Sequence, residues 1–64
     1  MAVKINLRGK EFEVRPGMTV QHALEKIGVP VETVLPTRDG QLLTEDEILK
    51  DGDVIKLVAV ISGG

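Results

Sequence analysis

Apolar residues occupy every second position at the start of the chain, where Val3, Ile5 and Leu7 alternate with Ala2, Lys4 and Asn6. This is the period of a strand with one buried face. Phe12 and Val14 resume the pattern, and the short link Arg8-Gly9-Lys10 predicts an antiparallel hairpin whose second strand ends at Pro16-Gly17. The period then changes. Val20, Ala23, Leu24 and Ile27 stand at i, i+3, i+4 and i+7, one face of a helix with Thr19 as N-cap and Gly28 as C-cap. Pro30 prevents the helix from resuming. Thr33 to Arg38 reads as a strand in which Pro36, unable to donate to a ladder, predicts a sheet edge or a strand end. Asp39-Gly40 predicts a tight turn, with Gln41-Leu42-Leu43 returning as a short strand. Thr44 and Glu47 have capping-box spacing and predict a helical turn carrying Ile48 and Leu49. The loop Lys50-Asp51-Gly52-Asp53 leads into a last strand, Val54 to Ile61.

A hairpin, a helix, further short strands and a long final strand follow the element order of a β-grasp fold. The expected class is α+β, a mixed sheet of four to five strands covered by one main helix. A hairpin cannot bury its apolar face alone, and the helix supplies the missing layer. In the last strand Ile55, Leu57, Ala59 and Ile61 face one way, and Lys56, Val58 and Val60 the other. Lys56 needs solvent, so Ile55 and Leu57 are assigned to the core. Val58 and Val60 are left outside as a small apolar patch. Such a patch can mark a partner surface, although single exposed apolar residues are common and require no explanation.

Composition narrows the function. A chain of 64 residues is expected to form one domain, near the lower limit for a single core. Its apolar fraction is 42%, almost wholly aliphatic, with Phe12 the only aromatic residue. Cysteine is absent, which excludes disulfides and thiolate metal sites. A net charge of −2 with interspersed signs lacks the basic clusters and stacking aromatics of a nucleic-acid surface. No segment has the ~20 apolar residues of a membrane span, and the start lacks a signal peptide's apolar stretch, so a cytoplasmic location is expected.

Internal chemistry is scarce. His22 is the single histidine, falls on the exposed side of the helix and has no second ligand at metal-site spacing. Glu45, Asp46, Glu47, Asp51 and Asp53 lack the ligand ladder of a calcium loop and read as a solvated acidic face. Arg38-Asp39-Gly40 forms a turn and not a phosphate cradle, since no Gly-rich loop opens onto a long helix there. So small an aliphatic body leaves little room for an enzyme pocket, and no resident metal or cofactor is expected. Attention passes to Ser62-Gly63-Gly64, where two glycines leave a slim arm ending in a carboxylate. Frayed, Gly-rich termini are common, so this ending alone does not establish a function.

The segment from Leu49 to Gly64 adds to that ending. It passes through Asp51-Gly52-Asp53 into the apolar strand and then Ser62-Gly63-Gly64, and it resembles the end of the ubiquitin-like sulfur carriers typified by ThiS, MoaD and their tRNA-thiolation relatives. The turn Arg38-Asp39-Gly40, followed by Gln41-Leu42-Leu43, is similar to their central hairpin. The resemblance implies a body over residues 1–61 and a tail over 62–64. It further implies a protein co-substrate that is not itself an enzyme. An E1-like enzyme using ATP and magnesium would adenylate Gly64. A sulfur donor of cysteine desulfurase or rhodanese type would then convert it to a thiocarboxylate, and a sulfur-acceptor enzyme would receive the sulfur. Gly63, Ser62 and Ile61 would thread the partner's active site, with Val58, Val60 and Lys56 as the partner surface. The absence of cysteine fits, because sulfur cannot travel as a persulfide on this chain's own side chains.

Three readings stay open at this point. The chain could be a sulfur carrier, a modifier joined through Gly64 to target lysines, or a non-catalytic subunit whose tail enters a partner. Among carrier pathways the resemblance covers 2-thiolation of tRNA uridine, thiazole formation for thiamine and, less closely for so short a chain, molybdopterin. The segment from Arg38 to Leu43 and the Val60-to-Gly64 ending lean towards tRNA thiolation.

Overall fold

The computed structural model describes residues 2–60. Its first two strands, β1 (Val3–Leu7) and β2 (Lys10–Val14), form the expected hairpin. Arg8 (φ 51°) and Gly9 (φ 83°) both adopt positive φ, the backbone of a two-residue turn whose twist matches that of its flanking strands. Asp39 (φ 54°) and Gly40 (φ 80°) repeat the device between β3 (Val34–Arg38) and the two-residue β4 (Gln41–Leu42). The final strand, β5, covers Val54–Ala59.

The five strands lie in the order β2-β1-β5-β3-β4, with β1 and β5 parallel and the other neighbours antiparallel. This is a mixed sheet, and the last strand in sequence lies at its centre. Helix α1 (Val20–Ile27) lies against one face. Thr19 caps it by accepting from the His22 N–H at 3.2 Å, and Gly28 closes it in the left-handed conformation. The core joins Val3 and Ile5 of β1, Val14 of β2, Val20, Ala23 and Leu24 of α1, Val34 of β3, and Ile55 and Leu57 of β5. Leu49, contributed by the loop, completes it. The architecture is the β-grasp, ubiquitin-like fold.

Several local expectations are corrected. Residues Thr44 to Leu49 form no helical turn: Glu45 and Asp46 make a turn, and Ile48 forms an antiparallel bridge to Thr19. Their carbonyls face the start of α1: Val20 N–H donates to Glu47 O at 2.9 Å and Gln21 N–H to Glu45 O at 3.0 Å. Early N–H groups of a helix have no partner within it, and this segment satisfies two of them. Leu49 N–H donates to Met18 O, and Gly17 N–H to Leu49 O. A backbone tied to another segment in this way cannot also close its own helix. Thr33 lies in a 3-10 turn, Val31–Thr33, so β3 begins one residue later than expected, and Leu43 falls outside β4.

Pro36 is buried within an interior strand. Its carbonyl accepts from Leu43 N–H at 2.9 Å, which puts its nitrogen on the β4 side as well. β4 pairs only at Thr37 and Arg38, and beyond them the Leu43 bond stands alone because Pro36 has no N–H to return, so the β4 ladder stops there. The strand end is therefore that of the neighbour, and β3 itself is not an edge.

Candidate functional site

The helix-facing side chains of β5 are enclosed: Ile55 is 1% exposed and Leu57 4%. The alternate row points away from the helix, and strand register determines its company. Val58 lies opposite Leu35, Lys56 lies between Thr37 and Asn6, and Leu42 lies beyond Thr37. Leu35 (44%), Leu42 (66%) and Val58 (45%) are all substantially exposed. Val60, just past the strand, is also exposed, and its N–H donates to Thr33 O at 2.8 Å. An apolar surface with one lysine therefore spans β4, β3 and β5. The β1–β2 half of the same face is polar, carrying Lys4, Asn6, Glu11 and Glu13.

Lys56, Val58 and Val60 thus lie on the outer face as expected. Leu35 and Leu42 belong with them and were missed. Leu35 stands between Val34 and Pro36, both buried, so alternation within β3 was the signal that could have found it. The pairing of β3 with β5 cannot be read locally. Ile61, Ser62, Gly63 and Gly64 lie outside the described residues.

The approach to β5 is held by a small ionic cluster. Arg38 donates to Asp53 Oδ2 at 3.0 Å and to Glu47 Oε2 at 3.4 Å, and Asp53 Oδ2 also accepts from Lys50 N–H at 2.8 Å. The Lys50 backbone bond, aided by the Arg38 guanidinium, holds the Asp53 carboxyl below the ordinary carboxylate range against the opposing effect of desolvation. The expectation of a uniformly solvated acidic face therefore needs correction. Glu45, Asp46 and Asp51 are exposed, whereas Glu47 and Asp53 are half-buried partners of Arg38. Asp53 immediately precedes β5, and its bonds fix where that strand starts. The turn residue Arg38 accordingly has a structural partner as well as a place in the hairpin.

His22 is exposed, and the described residues contain no cluster of three or more potential metal ligands. No described helix is long and apolar enough to cross a membrane. The arrangement leaves an exposed apolar face beside the strand that leads to residues 61–64.

Such a fold defines a small ubiquitin-like protein. Residues 2–64 match the ThiS family, and the chain belongs to that family of sulfur carriers. It is similar to the sulfur carrier protein TtuB of Thermus thermophilus, at 34% identity over 55 residues covering 86% of this chain and 85% of that one. Among solved structures it resembles the thiamine biosynthesis protein ThiS of Geobacter metallireducens, with a TM-score of 0.71, 25% identity and complete coverage of both chains. It also resembles the ubiquitin of Caldiarchaeum subterraneum, with a TM-score of 0.69 and 29% identity over all of this chain and 98% of that one.

Proposed function

We propose that the chain carries sulfur as a thiocarboxylate at Gly64. A carboxylate is a poor electrophile. An E1-like partner using ATP and magnesium would join the Gly64 carboxylate to AMP with release of pyrophosphate. The terminal sulfur of a donor persulfide would then displace AMP at the acyl carbon to give an acyl disulfide, and a thiol would reduce that S–S bond, freeing the donor's own thiol. The product is a terminal thiocarboxylate, whose sulfur passes to an acceptor enzyme. The carrier supplies a handle and an arm, and the partners supply the catalysis. The observation that carries this reading is the family match, which runs through Ser62-Gly63-Gly64.

The outer face supports the same reading. The partner would dock on Leu35, Leu42, Val58 and Val60, with Lys56 meeting a carboxylate, while Ile61, Ser62 and Gly63 reach into its active site. Glycine at 63 and 64 leaves no Cβ to clash in a narrow channel. Thiazole formation is supported by the full-length likeness to the Geobacter protein. The Arg38-to-Leu43 and Val60-to-Gly64 segments favour 2-thiolation of tRNA uridine, and we keep both branches ahead of molybdopterin. The likeness to an archaeal ubiquitin supports a second reading, in which the same adenylate is taken by target lysines.

The test is Gly64→Ala, or deletion of Gly64, presented to the activating enzyme with ATP. Both variants should melt as the parent does and form no acyl-adenylate. Normal adenylate formation by either would refute the role given to Gly64.

A further inference from the structure

Strand β2 forms one edge of the sheet, and no strand pairs with its outer side among the described residues. The phase of its ladder follows from its neighbour. Lys4 N–H donates to Asp53 O on the β5 side, so the alternate residues Val3, Ile5 and Leu7 direct their backbone groups towards β2. Their opposites are Val14, Phe12 and Lys10. In an antiparallel pair these residues exchange the ladder bonds, which leaves the N–H and C=O of Glu11 and Glu13 directed at the open edge. Four backbone groups are thus presented as a template for another strand.

Two features select that strand. Glu11 and Glu13 project on the outer face, both exposed, and neither forms an ion pair among the described residues. At the Val14 end an open groove of about 420 Å³ lies between the hairpin and α1, lined by Val14, Met18 and Ile27 and rimmed by Arg15 and Lys26. A second copy of this chain is a poor occupant. Every antiparallel β2-to-β2 register that pairs three or more β2 residues and keeps the helix-facing sides together sets Glu opposite Glu, and like charges directly opposite destabilise a pair. A strand with basic residues on its outer face and aliphatic residues on the other meets both features at once.

We propose that the β2 edge binds an extended segment of a partner protein in which Arg or Lys alternates with aliphatic residues. The segment adds as an antiparallel strand beyond β2. Its basic side chains lie opposite Glu11 and Glu13, and an aliphatic residue beside Val14 enters the groove. This edge is two strands from β5 and separate from the surface formed by Leu35, Leu42 and Val58. A partner held here leaves that surface free, so two proteins can engage the chain together.

The test is an amide-resolved NMR titration of the full chain at low salt with acetyl-Leu-Arg-Val-Arg-Val-amide, using acetyl-Leu-Glu-Val-Glu-Val-amide as control. The basic peptide should shift the Glu11 and Glu13 amides and slow their hydrogen exchange, leaving those of Leu35 and Val58 unchanged. The double variant E11K/E13K, altered only at exposed positions, should reverse the preference and bind the acidic peptide. Absence of shifts at Glu11 and Glu13, equal response to both peptides, shifts centred on Lys56 and Val58, or an unreversed preference in the variant would each overturn the proposal.

Discussion

The two faces of β5 are made by adjacent residues and differ sharply in exposure. Ile55 and Leu57 point towards α1 and are almost wholly enclosed, whereas Val58 and Val60, equally apolar, point outward beside Leu35 and are about half exposed. Hydrophobicity alone therefore does not tell the buried row from the exposed one in this chain. The distinction comes from register, with Lys56 marking the wet side. The inner row of this central strand serves the fold, and the outer row is left free for the partner proposed above. Substitutions on the two rows should consequently have separable effects.

The largest expected effect is on the inner row. Leu57→Ala should destabilise the protein by ~2–5 kcal/mol, since it opens a cavity at a nearly closed site. This is comparable with the roughly 3–5 kcal/mol that so small a core supplies, so the variant should be largely unfolded on warming. Unchanged thermal unfolding would show the faces to be reversed. On the outer row, Val58→Asp should cost only about 1 kcal/mol of stability, the span of strand propensity. Its affinity for the activating enzyme should fall about tenfold or more, as for a central interface residue worth at least ~1.4 kcal/mol. Full affinity, measured by calorimetry, would remove Val58 from the interface. Leu35→Asp should behave alike. The double variant should lose less than the sum of the two, because the side chains lie opposite each other.

The smallest effect concerns the residues that fix the start of β5. The Asp53 carboxyl is lowered in the folded protein, so its contribution is fully present above its unfolded value of about 3.9 and is lost as pH falls through the lower folded value. Asp53→Asn should therefore be less stable than the parent at neutral pH, and the gap should close in acid below about pH 3.9. A gap independent of pH, followed by denaturant unfolding, would mean that the Asp53 charge is not what Arg38 and Lys50 recognise.

Much of this was legible in the sequence where the signal is local. The β1–β2 hairpin, the α1 face from Val20 to Ile27, its caps Thr19 and Gly28, and the alternation in β5 all follow from spacing and turn chemistry. What could not be read depends on distant partners. Thr44 and Glu47 have the spacing of a capping box, yet Glu47 gives its carbonyl to Val20 and its side chain to Arg38. Pro36 suggested an edge because the early end of β4 is invisible until β3 and β4 are paired. Leu35 and Leu42 join Val58 only through cross-strand register, which no single segment encodes.

Gly64 is proposed as the sulfur-bearing end of the carrier, with the body serving to present it. That role is tested by the intact mass of the chain after incubation with its activating enzyme, ATP, magnesium, a persulfide donor and a thiol reductant. One oxygen replaced by one sulfur, located by fragmentation at Gly64 and absent from Gly64→Ala, is the result predicted here. An unchanged mass when the enzyme is demonstrably active on another carrier, or sulfur located anywhere but Gly64, would contradict it.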